Sequence, residues 1–230
     1  MYPRRARGRR ILGVTLLIAL VVLAVSACGG GQEQANKPRL LPEDEKALRP
    51  GTYRSEEFEP SLSFRVGKGW TNMPPEASDV LTIRRAHEPG GLGFVNIRQV
   101  HNYDLTSTNP KYVVKAPKDM VGWFRHHPYL RTSEPEPVTV GGIKGEQFDV
   151  VIENLPEDNP GLCGSDCVDI IELSTGAQVW LGKGYKFRFI VLEDVKGETV
   201  AIGFARRASE FDEYAPEAQK VIDTVKWRDL

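Results

Sequence analysis

Short runs of alternating apolar and polar residues, separated by turn residues, recur along most of this 230-residue chain. The segment LSFRV at 62–66 has this two-residue period, and so has the segment 144–153, where Phe148, Val150 and Ile152 alternate with polar residues. Such a period is typical of strands buried on one face. We predict strands near residues 62–66, 79–86, 93–100, 136–140, 144–153, 168–173, 178–181, 185–192 and 199–205.

Two segments have the three- and four-residue period of helices instead. Pro117 suits the first turn of a short helix that stops at His127-Pro128. The closing segment from Phe211 to Val225 repeats apolar residues at helical steps and predicts an amphipathic C-terminal helix. Strands joined by short turns, such as the hairpin at Gly141-Gly142, predict a mainly antiparallel sheet of the α+β class, with both helices packed on one face.

The start of the chain differs from this body. Its first ten residues, MYPRRARGRR, contain five arginines and no acid, and an apolar run then leads to Val25-Ser26-Ala27-Cys28. This arrangement resembles a bacterial lipoprotein signal. The resemblance implies cleavage before Cys28, acylation of Cys28, and anchoring at the extracytoplasmic face of the cell membrane, since two or three acyl chains hold a protein stably on a bilayer.

Two alternatives for this segment remain open. An uncleaved membrane anchor would span the bilayer with residues 11–27, although a spanning helix usually has about twenty apolar residues. Arg9-Arg10 would fit a twin-arginine export signal, although the residues around the pair match that signal poorly.

The predicted domains are a signal at 1–27, lipidated Cys28 with a flexible tether at 28–50, and a single α+β domain at 51–230. The tether is rich in Gly, Gln, Glu, Lys and Pro. Loss of the signal removes five of the 30 basic residues and none of the 31 acidic ones, which changes the net charge from −1 to −6. This charge argues against nucleic acid as a partner, and it leaves the lipid to hold the protein at the membrane.

Cys163 and Cys167 remain once Cys28 carries lipid. Outside the cytoplasm this pair is expected to form a disulfide, because the intervening Gly-Ser-Asp allows the chain to turn. So short a ring fixes a loop and contributes at the low end of the usual ~2 to 4 kcal/mol. A redox role stays open, although the spacing differs from that of oxidoreductase motifs.

Motifs for catalysis or metal binding are missing from the sequence. It has no Gly-x-Ser-x-Gly elbow, no phosphate-binding glycine loop and no His-Glu-x-x-His helix. The histidines are His87, His101, His126 and His127. The adjacent pair would point about 100° apart on a helix, so it could not chelate one metal from one face, and an interaction with the helix dipole is expected. No cofactor is expected.

Hard oxygen ligands surround the cysteine loop, but they lack the regular spacing of a calcium loop. A solvated turn is the expected structure, with calcium binding as the alternative. The residues concerned are Glu153, Asn154, Glu157, Asp158, Asn159, Asp166 and Asp169.

The tryptophans are Trp70, Trp123, Trp180 and Trp227, and core packing is the expected role of each. Trp180 and Tyr185 flank Gly182-Lys183-Gly184, a turn that can leave both rings facing solvent. We therefore take Trp180 and Tyr185 as the candidate ligand surface.

Two segments, SLSFRVGKGW at 61–70 and TVAIGFARRASEFDEYAPEAQKVIDTVKW at 199–227, resemble the PsbP-like fold family. That family is an α/β sandwich that includes bacterial lipoproteins and photosystem accessory proteins, and the resemblance covers about residues 51–230. It implies a non-catalytic binding or assembly module for an envelope protein or a small ligand, and it assigns no site residues.

Two other functions stay open: a small extracytoplasmic enzyme, hydrolase-like, whose site forms only in the fold, and a sensor or accessory lipoprotein of an envelope complex. A binding module should show an exposed apolar groove, whereas an enzyme should show a concave site with mutually oriented titratable groups.

Overall fold

The computed structural model describes residues 37–85, 90–103, 113–156 and 163–228. The strands before the first helix are β1 (Arg39–Leu40), β2 (Ala47–Leu48), β3 (Gly51–Arg54), β4 (Leu62–Val66), β5 (Trp70–Ala77), β6 (Val80–Arg85), β7 (Leu92–Asn96), β8 (Gln99–His101) and β9 (Val113–Lys115). After helix α1 (Met120–His126) come β10 (Leu130–Thr132), β11 (Glu136–Val140), β12 (Ile143–Ile152), β13 (Cys167–Glu172), β14 (Gln178–Gly182), β15 (Tyr185–Val195) and β16 (Glu198–Arg207). Helix α2 (Phe211–Ile222) and β17 (Lys226–Trp227) complete the described elements.

These strands form three sheets. The central sheet has nine strands in the order β10-β12-β15-β16-β7-β6-β5-β2, with β11 also paired to β12. The two smaller sheets have the orders β1-β3-β4-β17 and β14-β13-β8-β9. Among the described strands, β1 and β3 are the one parallel pair. The predicted α+β class with a mainly antiparallel sheet is therefore confirmed.

Alternating side chains of the central sheet fill a core on each of its faces. Phe94 and Ile202 point to the face covered by α2 and the β1-β3-β4-β17 sheet. Phe189 and Val191 point to the opposite face, which α1 and the β14-β13-β8-β9 sheet cover in part. The expectation of a sheet covered on one face is therefore wrong, because the chain returns over the second face after β7.

That return divides the predicted strand 93–100. β7 ends at Asn96 in the central sheet, and β8 begins at Gln99 in a different sheet. Ile97 and Val100 are both buried in the same core, although residues three apart point to opposite faces of a single strand. This break in the alternation is the sequence signal of the crossover.

Helix α1 ends at His126, as predicted from His127-Pro128, but it begins later than expected. Asp119 caps it, with Oδ1 accepting the Gly122 N–H at 2.6 Å. Pro117 therefore precedes the cap and is not part of the first turn. Helix α2 has the predicted amphipathic character, and it buries Phe211, Tyr214, Ala218, Val221 and Ile222.

Part of the predicted tether belongs to the domain. The compact unit of the chain begins at Pro38, not near residue 51. β1 pairs with β3, and Leu48 of β2 is buried opposite Trp70. The flexible-tether prediction is therefore wrong for residues 38–50, because a few apolar side chains and backbone pairing suffice to hold a segment of mostly polar composition.

One buried amide anchors this segment. Asn72, on β5, donates from Nδ2 to the Pro42 carbonyl at 2.7 Å and to the Asp44 carbonyl at 2.8 Å. Its Oδ1 accepts the Lys46 N–H at 2.7 Å. Residues 1–36, which include the signal-like segment and Cys28, lie outside the described residues. No helix within the described part of the chain is long and apolar enough to span a membrane.

Candidate ligand groove

A row of four paired residues with two glycines at its centre crosses the middle of the central sheet. Phe189 of β15 pairs with Gly203 of β16, Gly203 pairs with Gly93 of β7, and Gly93 pairs with Thr82 of β6. Residues paired across antiparallel strands point to the same face. Phe189 and Thr82 therefore stand about 14 Å apart across three strand spacings, with bare backbone between them.

The neighbouring positions on this face are small as well. The floor of the resulting cleft, here called the glycine groove, consists of Gly91, Gly93, Ala201, Gly203 and Ala205, and its volume is about 170 Å³. Of the twelve residues that line it, Thr82 alone has a polar side chain. The other lining residues are Val80, Val95, Val179, Phe187, Phe189 and Phe204.

The two central glycines have different roles. A Cβ added at Gly203 would lie 2.9 Å from Cε1 of Phe189, so this glycine makes room for the aromatic ring. At Gly93 the nearest atom to an added Cβ is Oγ1 of Thr82, at an ordinary 3.7 Å. The space above Gly93 is therefore open volume of the groove and not space that a neighbouring side chain occupies.

The hairpin of β13 and β14 contributes Val179 to the lining of the groove. A buried carboxylate holds the hairpin turn in place: Asp79 is 2 % exposed and accepts the Ser174 N–H at 2.6 Å and the Ser174 hydroxyl at 2.9 Å. Asp79 directly precedes Val80, another lining residue. The contact therefore fixes the hairpin at the Val80 end of the groove.

The predicted aromatic pair lies toward the opposite end. Tyr185 occupies the next same-face position of β15 beyond Phe187, and the two ring centroids are 6.4 Å apart. A Cβ added at Gly182 would lie 3.2 Å from Cζ3 of Trp180 and 3.3 Å from Cδ2 of Tyr185, so both rings flank that glycine. Trp180 is 54 % exposed, and Tyr185 is half-buried. The structure brings the pair together, and its ligand role stays a prediction.

The other tryptophans pack inward. Trp70 and Trp227 are buried, and Trp123 is half-buried against the core beside α1. The expectation of core packing is therefore wrong for Trp180, which lies just before the turn at Gly182-Lys183-Gly184 and is exposed.

The cysteine loop is closed by a disulfide between Cys163 and Cys167, whose Cα atoms lie 6.0 Å apart. Asp169, two residues beyond the loop on β13, is largely buried and accepts the Cys163 N–H at 3.3 Å. Cys167 is the first residue of β13, so the disulfide fixes the chain at the point where the β13-β14 hairpin begins.

The acids proposed for calcium do not converge within the described residues. Glu153 forms an ion pair with Arg131 at 3.0 Å, while Glu157, Asp158 and Asn159 lie outside the described residues. Within the described ranges, no group of three or more His, Cys, Asp or Glu side chains is arranged to hold a metal.

Each of the described histidines has a partner of its own. The His126 ring donates to the Gly122 carbonyl at 2.7 Å near the end of α1, and His101 lies 3.0 Å from Oε2 of Glu172. His87 lies outside the described residues. The expected interaction with the helix end thus falls to one member of the adjacent pair.

His127, the other member, lies in an aromatic cluster with Tyr103, Trp123 and Tyr129, at centroid distances of 5.0, 5.2 and 5.8 Å. Its Nδ1 accepts the Tyr129 N–H at 3.3 Å. Burial lowers the pKa of His127 to about 4, so the ring is neutral at neutral pH. This geometry indicates that His127 is a neutral, buried side chain that packs in the core.

A polar cavity of about 370 Å³ lies beside α2. Its lining residue Glu217 pairs with Arg85 at 3.2 Å and with the neighbouring Lys220 at 2.6 Å. The Arg206 guanidinium, also in the lining, lies 4.0 Å from the centroid of the Tyr214 ring. The hydrogen bond from Lys220 lowers the pKa of Glu217. A carboxylate held ionised in this way is unsuited to the role of general acid.

An acidic cavity of about 280 Å³ lies beside β5. Its Glu76 contacts the Ser55 hydroxyl and accepts the Phe58 N–H at 3.3 Å. This carboxylate therefore caps the turn after β3, which is a structural task.

The sequence patterns above do not single out the groove residues. The available signals are Gly91-x-Gly93 within one strand and Ala201, Gly203 and Ala205 on a single face of another. Small residues confined to one strand face indicate close approach of another group or an open surface. The sequence does not tell these two cases apart, because the difference depends on which segments of the folded chain pack over the sheet.

No protein-family model matches the chain, and no curated protein matches its sequence. Among solved structures, the chain is similar to cyanobacterial PsbP (CyanoP) from Synechocystis sp. PCC 6803, with a TM-score of 0.41 and 10 % identity over 89 % of this chain and 99 % of that one. It is also similar to LpqN, involved in cell envelope biogenesis of Mycobacterium tuberculosis, with a TM-score of 0.36 and 9 % identity over 80 % of this chain and 90 % of that one.

Proposed function

We propose that this protein is an extracytoplasmic lipoprotein, anchored through Cys28, that binds the apolar chain of a small ligand in the glycine groove without covalent chemistry. The observation that carries the proposal is the groove itself: its floor of Gly91, Gly93, Gly203 and two alanines offers apolar surface and a single polar side chain.

The shape of the groove favours a slender ligand. Its floor follows β16 from Ala201 to Ala205, about 13 Å at ~3.3 Å per residue, and it has the width of two strands. An unbranched acyl or alkyl chain fits a narrow trough of this kind, whereas a ring system or a branched side chain needs a wider cavity. Each methylene that leaves water contributes about 0.8 kcal/mol, so a few methylenes already give measurable affinity.

A non-catalytic role agrees with the state of the polar groups. In the polar cavity beside α2, Glu217 is held in ion pairs with Arg85 and with the neighbouring Lys220. In the glycine groove Thr82 has the one polar side chain, which leaves no acid and base pair for a hydrolase mechanism. We expect an envelope protein to supply or receive the ligand. The net charge of −6 after signal removal makes nucleic acid an unsuitable partner.

The proposal is tested by photo-crosslinking on the full-length protein in lipid nanodiscs. The probe is palmitic acid with a diazirine in the middle of its chain, and mass spectrometry locates the labelled peptides. We expect labels on peptides from β7 and β16. Gly93→Val should reduce them about tenfold, which corresponds to ~1.4 kcal/mol, because its side chain fills the groove.

Gly67→Val is the matched control, since a Cβ at Gly67 meets no atom within 4 Å and this residue lies outside the groove. Its labelling should equal that of the wild type. Labels spread over the whole surface, or labels on β7 and β16 that Gly93→Val leaves unchanged, would contradict the proposal.

Anchoring is tested separately with radiolabelled palmitate supplied to an expressing bacterium. We expect incorporation into the wild-type protein and none into Cys28→Ser. Equal incorporation into both proteins would exclude Cys28 as the acylated residue.

A further inference from the structure

Arg207 stands just beyond one end of the glycine groove. In β16 it follows Ala205 by two residues, so both side chains leave the same face of the strand. It pairs with Tyr185, just as Ala205 pairs with the lining residue Phe187. The step from Ala205 to Arg207 is about 7 Å along the strand, which a guanidinium at the end of a long side chain spans easily.

The Arg207 guanidinium is accessible to a ligand. It is exposed and forms no ion pair with any residue in the described ranges. Its neighbour Arg206 points to the other face, where it is buried against Tyr214. The alternation of β16 therefore places one arginine in the core and the next at the groove.

The aromatic pair lies at the same end as Arg207. Trp180 and Tyr185 flank Gly182, and Trp180 is 54 % exposed. Indole and phenol rings have an apolar body and a polar edge, which suits them to a boundary between an apolar site and water. A ligand whose chain lies in the groove would bring its head to these rings and to Arg207.

We infer that the ligand is a single-chain amphiphile with an anionic head, a phosphate or a carboxylate, which Arg207 binds while its chain occupies the glycine groove. The inference rests on the proposed function, because it assigns the head of the same ligand. Charge complementarity supports it: the groove is apolar along its floor, and the free cation stands at the end where a head group would meet water. Arginine binds phosphate and carboxylate through paired N–H donors.

Competition against the photoreactive palmitate probe on the full-length protein tests this inference. The competitors share one chain length and differ in the head: dodecyl phosphate, dodecanoate, dodecanol and dodecyltrimethylammonium, each below its micelle-forming concentration. We expect the two anions to displace the probe from β7 and β16 at about tenfold lower concentration than dodecanol. The cation should be the weakest competitor.

Arg207→Gln should remove the advantage of the anions, and Arg207→Lys should keep part of it. Arg65→Gln is the matched control, because Arg65 is also an exposed strand arginine without an ion pair to a described residue, and it lies in β4 of another sheet. Equal competition by all heads, or an anion preference that survives Arg207→Gln, would overturn the inference and leave the proposed function standing. Absence of labels on β7 and β16 would overturn both.

Discussion

Gly93 and Gly203 are paired across β7 and β16, but the space above Gly93 is open while the Phe189 ring occupies the space above Gly203. Substitution by alanine should therefore change the free energy of unfolding in opposite directions at the two positions. Gly93→Ala should stabilise the protein by about 0.5 kcal/mol, because alanine has less backbone entropy to lose than glycine and its Cβ meets no close atom. Gly203→Ala should destabilise it by about 1 to 3 kcal/mol, because its Cβ would approach the Phe189 ring to 2.9 Å. Urea unfolding of the two variants checks both signs, and similar effects would contradict the assignment.

Asp149 joins two cations on the central sheet. Its carboxylate accepts from Arg188 Nε at 2.6 Å and Nη2 at 3.1 Å, and Lys186 Nζ lies 2.8 Å away. Burial by itself raises the pKa of Asp149, but the hydrogen bonds and charges of Arg188 and Lys186 outweigh burial and lower it below its ordinary value of 3.8. The contacts of ionised Asp149 with Arg188 and Lys186 therefore stabilise the folded protein above about pH 4. This contribution to the free energy of unfolding is lost as the pH falls through the lowered pKa of Asp149.

We expect Asp149→Asn to lose about 1 to 3 kcal/mol of unfolding free energy at pH 7. The gap to the wild type should close below about pH 4. Urea unfolding across this pH range measures the gap, with Glu193→Gln as the control, because Glu193 is an exposed acid on β15, the strand of Lys186 and Arg188. A gap that stays constant into acid would mean that the cations do not act through the ionised carboxylate.

His127 also makes the folded protein less stable in acid, but over a higher range of pH than Asp149. Burial lowers its pKa to about 4, so the unfolded chain takes up a proton near pH 6.5 while the folded protein does not. Stability from this group is complete above about pH 6.5 and falls as the pH drops toward 4, by about 3 kcal/mol in total.

His127→Asn should remove this slope, because asparagine does not titrate and its oxygen replaces Nδ1 as acceptor of the Tyr129 N–H. Unfolding free energies at pH 7, 5.5 and 4 measure the slope. His126→Asn, which changes the exposed neighbour, should keep it. Parallel profiles of wild type and His127→Asn would show that His127 is not the titrating group.

At the scale of elements, the segment 38–48 depends on one side chain of β5. Asn72→Ala removes three hydrogen bonds to residues 42–46. We expect amide hydrogen exchange in 38–48 to accelerate at least tenfold, since the loss of about 1.4 kcal/mol corresponds to that factor, while exchange in β15 and β16 stays unchanged. Gln147→Ala, a half-buried amide on β12, is the control. Unchanged exchange in 38–48 would show that strand pairing alone holds the segment.

Elements with a clear period could be predicted from the sequence. β4, β11, β12, β15, β16 and both helices lie close to the predicted positions, since each combines a strong pattern with turn residues at its ends. β5 could not, because Pro74 and Pro75 interrupt the pattern and the pairing with β6 shifts between Met73 and Ala77. β1 and β2 are two residues each, too short for any period to show.

One part of the candidate site could be predicted from the sequence and another part could not. Trp180 and Tyr185 could be chosen because a glycine-rich turn lies between them in the sequence. The glycine groove could not, because its floor combines positions from β7 and β16 that are about a hundred residues apart. Gly93 and Gly203 become neighbours only through strand pairing, and nothing local distinguishes them from the glycines of turns.

At the scale of the molecule, the fold leaves a strip of small residues open on one face of the central sheet. The α2 side of the sheet is a filled core, and α1 with the smaller sheet fills part of the other face. The glycine groove lies on that second face. The proposed acyl anchor at Cys28 would keep the protein at a membrane, where amphiphiles are concentrated. The proposed anchor and the proposed ligand site would then serve the same function.

Native mass spectrometry of the full-length protein, purified from the envelope of an expressing bacterium, tests the central claim most directly. We predict a non-covalent adduct with the mass of an amphiphile that disappears on denaturation, is retained by Gly67→Val and is lost in Gly93→Val. A wild-type protein without any adduct after mild purification, or an adduct that Gly93→Val retains in full, would contradict the claim that the glycine groove binds a ligand.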